Sequence, residues 1–317
     1  MENERPSEWY PPKPMLEKVK IQSNWGMTVF SILVFALSFL YLFSDEVDFV
    51  FFLVLVLFIH ELGHYLIMKF YKYENLRMLF IPLMGAFVQG SKKQYSQKES
   101  FFVIAAGPYP GIILGISLLF LAQNMQHSGL LKLSFLFLFL NVVNLLPLDP
   151  LDGGQFFKLF VRRKRDLFLL IFSLLSSLVM IIVGYMIESW ILIIFGFLMS
   201  FKVRSFQRNF LYRKILDERQ INYECNYEDL SDINYHQIKQ VILQENPKLV
   251  DFIGHQQENA EELVASQVNS VLSVPYHRDT TLLFKVLLIA SWLLFMLLPV
   301  FLLLGPLLDF TWYFEEF

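Results

Sequence analysis

The chain has few charged residues and almost no cysteine. Charged residues make up 17% of its 317 positions, and the single cysteine, Cys225, excludes an internal disulfide. No internal repeat, low-complexity tract or phosphate-binding glycine loop is present, and we expect no nucleic-acid partner. Lys and Arg are also missing from three short segments, "SDEVD", "QNMQHSG" and "IESW". Such an uneven placement of positive charge is typical of a chain that crosses a membrane several times.

Apolar residues are abundant instead and occur in long runs. Hydrophobic residues make up 55% of the chain, which includes 34 Phe. Runs of 18 or more apolar residues are the signature of transmembrane helices. The sequence therefore predicts an all-α polytopic membrane protein with about six to seven transmembrane helices. The predicted spans are 25–44, 47–70, 101–123, 130–149, 167–187, 189–203 and 282–308.

The remaining segments give the predicted domain organisation. Residues 1–24 form a polar tail, 25–203 a membrane core, 204–281 a helical cytoplasmic segment, 282–308 a C-terminal span and 309–317 a short tail. Within the core, "MLFIPLMGAFVQG" is apolar but too short to cross, and its glycines indicate a small membrane-associated β-hairpin. Within the cytoplasmic segment, Asn246 and Pro247 predict a break between two helices.

The positive charges predict the orientation of the chain. They occur in the N-terminal tail and in every second connection, opposite the three segments without Lys or Arg. By the positive-inside rule, the N-terminus is cytoplasmic and the C-terminus lies outside. The residues concerned are Arg5, Lys13, Lys18, Lys20, Lys72, Arg77, Lys92, Lys93, Lys98, Arg162, Arg163, Lys164, Arg165, Arg204, Arg208, Arg213 and Lys214.

Three ionisable residues interrupt the second span, in "FIHELGHYLI". His60 and His64 are four positions apart, so on a helix they share one face and can bind one metal ion. Glu61 lies beside that metal, where it can take a proton from water, as in the HExxH pattern of zinc peptidases. A buried core histidine would explain one such residue. It does not explain three, since each costs ~2.5–3.5 kcal/mol at the centre of a span.

The end of the fourth span is the best source of a third ligand. With a helix rise of 1.5 Å per residue, His60 lies ~18 Å below the outer surface and Asn144 ~21 Å below it. Asp149 and Asp152 follow Asn144 at or just below that depth, and the helix is expected to break near Pro147. Asp152 precedes two glycines that let the backbone turn, which favours it, and Asp149 is the alternative.

These motifs resemble the site-2 protease family of intramembrane zinc metalloproteases. "HELGH" matches its first motif, and "NLLPLDPLDGG" is similar to its second, with Asp149 where a proline is frequent. "PLMGAFVQG" resembles the membrane-dipping hairpin of the family, and "AAGP" its usual start of the third span. The resemblance covers about residues 45–160. It implies one zinc ion held by His60, His64 and Asp152, with Glu61 as general base.

The function expected from this resemblance is hydrolysis of peptide bonds within or next to transmembrane segments of other membrane proteins. Asn144 is a candidate for holding the substrate or its oxyanion, and Gly85 and Phe87 are candidates for strand pairing with it. The site would lie near the cytoplasmic face of a bacterial plasma membrane, with the lipid bilayer and a transmembrane protein as partners. The alternative is a non-proteolytic zinc-binding membrane protein or a transporter, because ionisable groups in a span also mark ion paths.

Overall fold

A computed structural model describes residues 10–16, 25–42, 47–82, 85–161, 164–255 and 260–304. Predictions that fall elsewhere lie outside the described residues. They include most of the N-terminal tail, Arg162 and Arg163, the end of the last span and the tail 309–317.

The described residues are mostly helical, as predicted. Six helical segments are long and apolar enough to cross a membrane, with α3 and α4 together forming one of them. These segments are α1 (Trp25–Leu42), α2 (Val47–Phe70), α3 (Gln97–Ala105) with α4 (Pro108–Met125), α7 (Arg165–Met186), α8 (Trp190–Glu218) and α12 (Leu282–Leu304). A shorter apolar helix, α5 (Ser128–Asn144), follows α4. The prediction of a multi-pass all-α membrane protein is confirmed.

Three helices differ most from the predicted spans. The span 101–123 is interrupted at Gly107, because Pro108 lacks an N–H and begins a new helix. The helix α5 ends at Asn144 rather than 149, since the residue before Pro147 is disfavoured in helical conformation. In contrast, α8 continues past 203 to Glu218. Its last turns bury Tyr212 and Leu216, and this packing sustains the helix outside the apolar stretch.

The predicted hairpin consists of β1 (Glu74–Ile81) and β2 (Gly85–Ser91). The strands are antiparallel, with Ile81 opposite Gly85 and Met78 opposite Val88. Alternate side chains of β1 are buried against α1, where the Thr28 hydroxyl donates to the Met78 carbonyl (2.9 Å). On its other side, β2 packs against α2. The hairpin therefore lies next to the helix that carries His60, Glu61 and His64.

The polar segment forms a small helical unit with its own core. Its helices are α9 (Asp232–Glu245), α10 (Pro247–His255) and α11 (Ala260–Val271), and the break at Asn246 and Pro247 is confirmed. Side chains of α9 and α11 pack with the end of α8 in one buried cluster. The short strand β4 (Tyr276–His277) then pairs in parallel with β3 (Tyr95–Ser96), just before α3. A seven-residue helix, α6 (Asp152–Lys158), lies between α5 and α7.

Part of the N-terminal tail binds this helical unit. The Lys13 ammonium donates to the carbonyls of Tyr227 (2.6 Å) and Glu228 (2.9 Å) and to that of Leu230. The backbone N–H of Lys13 donates to Asp232 Oδ1 at 2.9 Å. Residues 10–16 and the helical unit are therefore on the same side of the membrane core.

Candidate metal centre

Two histidines of α2 and one aspartate at the start of α6 converge on a single point. His60 Nε2 lies 3.1 Å from His64 Nε2. Asp152 Oδ2 lies 3.1 Å from His60 Nε2 and 3.3 Å from His64 Nε2. Both imidazoles are buried, and the Asp152 side chain is 16% exposed. These side chains form a group whose ligand atoms can hold a metal ion.

Hydrogen bonds fix which nitrogen each imidazole presents. His60 Nδ1 lies 2.7 Å from Asn141 Oδ1, and the Asn141 amide donates to the Phe137 carbonyl at 2.7 Å. Asn141 therefore accepts from His60, so Nδ1 carries the proton and Nε2 has a free lone pair. His64 Nδ1 likewise donates to the Val103 carbonyl at 2.7 Å. Both Nε2 atoms are thus ready to bind a cation.

The spacing of the ligand atoms fits zinc. Zn–N and Zn–O bonds of ~2.0–2.1 Å in a tetrahedron put neighbouring ligand atoms ~3.3–3.4 Å apart, close to the separations observed here. The ligand set of two imidazoles and a carboxylate is one that zinc uses in hydrolases. Gly107 leaves space in front of this set. A Cβ at Gly107 would lie 2.7 Å from His60 Nε2 and closer still to His64 Nε2.

Glu61 is buried beside these ligands. Its side chain is 6% exposed and lies within electrostatic range of His60, His64 and Asp152. Its carboxyl lies close to the backbone N–H of Val88 in β2. This contact ties the hairpin to α2 at the position where a proton acceptor is expected.

Of the other candidate residues, Asn144 lies near the metal group and Gly85 and Phe87 lie on the adjacent strand β2, whereas Asp149 does not belong to the group. The Asn144 amide lies 3.1 Å from His60 Nε2, so Asn144 is next to the metal group. Gly85 and Phe87 are on β2, on the same strand as Val88. Asp149, the alternative ligand, is not in the group, because its Oδ1 is bound by Lys158 at 2.6 Å.

Three contributions to the site were not foreseen from the sequence. Asn141 holds His60, the Val103 carbonyl holds His64, and Gly107 leaves room for the metal. The spacing of Asn141 and Asn144, three positions apart on α5, is a signal that both amides face α2. Gly153 and Gly154 allow close packing of the backbone rather than a free turn of the chain. They lie in α6, where any Cβ would meet the carbonyls of Leu145 and Leu148.

Replacing Asn141 by Leu tests whether the His60 hydrogen bond supports metal binding. Loss of such a partner costs ~10–100-fold in metal affinity or activity, because the imidazole can rotate or change tautomer. We expect a loss in this range for Asn141→Leu in a zinc competition titration with a fluorescent chelator. Asn141→Asp keeps an acceptor for Nδ1 and should lose less. Equal affinities for Asn141→Leu and the wild type would contradict the role.

Comparisons with known proteins agree with this geometry. Residues 48–134 match the family model described as Peptidase family M50. Stage IV sporulation protein FB of Bacillus subtilis (strain 168) is 31% identical over 179 residues, which are 53% of this chain and 62% of that protein. Zinc metalloprotease MJ0392 of Methanocaldococcus jannaschii is 32% identical over 111 residues, which are 33% of this chain and 32% of that protein. The chain therefore spans less than two thirds of either relative.

A solved structure is also similar. The site-2 protease from Methanocaldococcus jannaschii is 24% identical, with a TM-score of 0.42, over 55% of this chain and 84% of that one. The match to the family model includes both histidines of the metal group and the whole hairpin. Residues 48–134 are therefore similar to Peptidase family M50, in agreement with the resemblance expected from the motifs.

Proposed function

We propose that the protein is an intramembrane zinc metalloprotease that hydrolyses peptide bonds within or next to transmembrane segments of other membrane proteins. The observation that carries the proposal is the meeting of His60, His64 and Asp152 around one point, with Glu61 buried beside them. The relative named as a zinc metalloprotease supports the same activity.

In this proposal each residue of the site has one task. His60, His64 and Asp152 would hold zinc, which would act as a Lewis acid, polarising the substrate carbonyl and lowering the pKa of a water molecule. Glu61 accepts the proton of the attacking water and returns it to the leaving amine. The Asn144 amide, 3.1 Å from His60 Nε2, donates a hydrogen bond to the substrate carbonyl or its oxyanion. The hydrophobic helices around the site keep bulk water away.

Substrate is proposed to bind along β2. A peptide bond in an intact helix is shielded by its own hydrogen bonds, so the substrate must be extended near the site. The N–H of Val88 points towards Glu61 and away from β1. The N–H of Ala86 points to the same edge, because N–H groups two residues apart in a strand point the same way. The outer edge of β2 can therefore receive an added strand. Gly85 and Phe87 belong to this strand, and the Phe87 side chain is 37% exposed.

Ala86→Pro tests this strand pairing. Proline removes the Ala86 N–H from the outer edge and leaves the hydrogen bonds between β1 and β2 in place. We expect KM for a reporter substrate to rise about tenfold, equivalent to the loss of about one hydrogen bond, with metal affinity unchanged. The control is Ala86→Val, which keeps the N–H. Equal kinetics for Ala86→Pro and Ala86→Val would argue against pairing at this edge.

The proposed orientation puts the N-terminus and residues 204–281 in the cytoplasm of a bacterial cell. The distribution of Lys and Arg supports it. Binding of Lys13 to the helical unit also supports it, because both segments must then lie on one side. The metal centre would in that case be near the cytoplasmic face.

The proposed activity can be tested on the full chain in liposomes with a labelled transmembrane reporter peptide. We expect cleavage that stops after removal of metal with a chelator and returns when zinc is added. Mass spectrometry of the products should map the cut within or next to the transmembrane segment. If zinc-loaded protein leaves a panel of such peptides uncut but moves zinc across the membrane, the alternative function as a transporter is correct.

A further inference from the structure

A buried charge cluster lies beside the metal centre but outside it. The Asp149 side chain is fully buried, at 0% exposure. Its Oδ1 accepts from Lys158 Nζ (2.6 Å), Lys202 Nζ (3.0 Å) and Gln155 Nε2 (3.2 Å). The backbone N–H of Asp149 donates to the Ser176 hydroxyl at 3.0 Å. Asp149 thus joins the loop before Asp152 to three helices, α6, α7 and α8.

Burial of the Asp149 carboxylate is unfavourable in free energy unless partners in the protein replace its bound water. Burying a carboxylate requires cationic partners and hydrogen bonds to replace water. Asp149 has two lysines, but its Oδ2 is buried and has no hydrogen-bond partner among the residues that the structure describes. The carboxylate is therefore held through one oxygen, and each of its lysines contributes directly to its position.

The cluster connects the metal centre to the cytoplasmic helical unit. Asp149 is three residues before Asp152, whose Oδ2 belongs to the metal group. Lys202 lies in the middle of α8, and the same helix continues to Tyr212 and Leu216 in the core of the helical unit. A displacement or rotation of α8 would move the Lys202 ammonium and, through Asp149, the loop that presents Asp152.

We propose that Asp149 and Lys202 are positioning residues for the metal ligand Asp152, so that metal binding depends on the placement of α8. The expected effect on peptide cleavage rests on the proposed function. The expected effect on zinc affinity does not, because it is measured without substrate. Neither residue belongs to the metal group itself, and both act through the loop that leads to Asp152.

The test replaces Lys202 by Met in the full-length protein. Asp149 keeps its contact with Lys158 in this variant, so the buried carboxylate is not left without a cation. We expect zinc affinity, measured by chelator competition, to fall about tenfold, as for the loss of other residues that orient a metal ligand. For the reporter peptide we expect kcat to fall about tenfold, while KM stays within about twofold.

Three comparisons separate positioning from general stability. Lys202→Arg keeps a cation at this position and should recover part of the zinc affinity. Lys214→Met, at an exposed lysine of the same helix, should behave as the wild type. The double variant Asp149→Asn/Lys202→Met should lose less zinc affinity than the product of the two single losses. Each single variant already removes the Asp149–Lys202 contact. Should Lys202→Met fail to fold, Lys202→Gln keeps a donor and allows the same comparison.

The inference is overturned if Lys202→Met only lowers the melting temperature and binds zinc and turns over peptide as the wild type does. A wild-type protein that leaves the reporter uncut would refute the proposed function instead. Zinc competition with Lys202→Met would still decide the positioning role in that case.

Discussion

Glu61→Gln is expected to retain zinc and to lower the rate of peptide cleavage by about 10²–10⁴-fold, the usual contribution of a general base. Glutamine has nearly the same shape as glutamate, so His60, His64 and Asp152 should keep their places. It cannot accept a proton at neutral pH, so the attacking water would lose its base. The measurement is kcat for the reporter peptide, together with metal content by mass spectrometry on the same sample.

The matched control for this variant is Glu262→Gln, an exposed glutamate of α11 far along the chain from the metal group. It should cleave at the wild-type rate. Unchanged cleavage by Glu61→Gln would refute the mechanism, even if the protein is a protease. Loss of both zinc and cleavage would instead mean that Glu61 holds the metal site together.

Asp152→Ala is expected to abolish stoichiometric zinc binding, and with it cleavage. Two imidazoles of one helix remain in this variant, and the carboxylate oxygen that lies 3.1 Å from His60 Nε2 is removed. Loss of a ligand should exceed the ~10–100-fold effect of losing a residue that only supports a ligand. The measurement is a zinc competition titration of the purified protein, before and after dialysis against chelator.

Asp251→Asn, at an exposed aspartate of α10, is the control and should bind zinc as the wild type does. Comparison with Asp149→Asn decides between the two acids considered from the sequence. If Asp149→Asn loses zinc more completely than Asp152→Ala, the assignment of the third ligand is wrong. The contact of Asp149 with Lys158 and Lys202 predicts the opposite order.

Local periodicity is enough to bring the two candidate histidine ligands together. His60 and His64 share a helix face by their spacing alone, and the helix rise puts the end of α5 at the same depth. The choice between Asp149 and Asp152 is harder, because it depends on residues distant in sequence. Lys202 is 53 positions from Asp149, and no local pattern indicates that their side chains meet.

Packing between helices explains the remaining gaps in the prediction. The break at Gly107 follows from Pro108, but only the folded chain brings that glycine opposite the two imidazoles. The spacing of Asn141 and Asn144 places both amides on one face of α5, but the contact of Asn141 with His60 depends on how α5 packs against α2. The length of α8 depends on the helical unit that buries its last turns.

The contact between Lys13 and the helical unit constrains how many times the chain crosses the membrane between them. Two segments on the same side of a bilayer must be separated by an even number of crossings. Between residue 16 and the helical unit, five segments are long enough to span by themselves: α1, α2, α3 with α4, α7 and α8. Five is odd, so if each of these segments crosses once, α5 is expected to cross as well, although its 17 residues rise only ~26 Å. The contact of one lysine with three carbonyl groups thus favours a membrane-spanning position for α5.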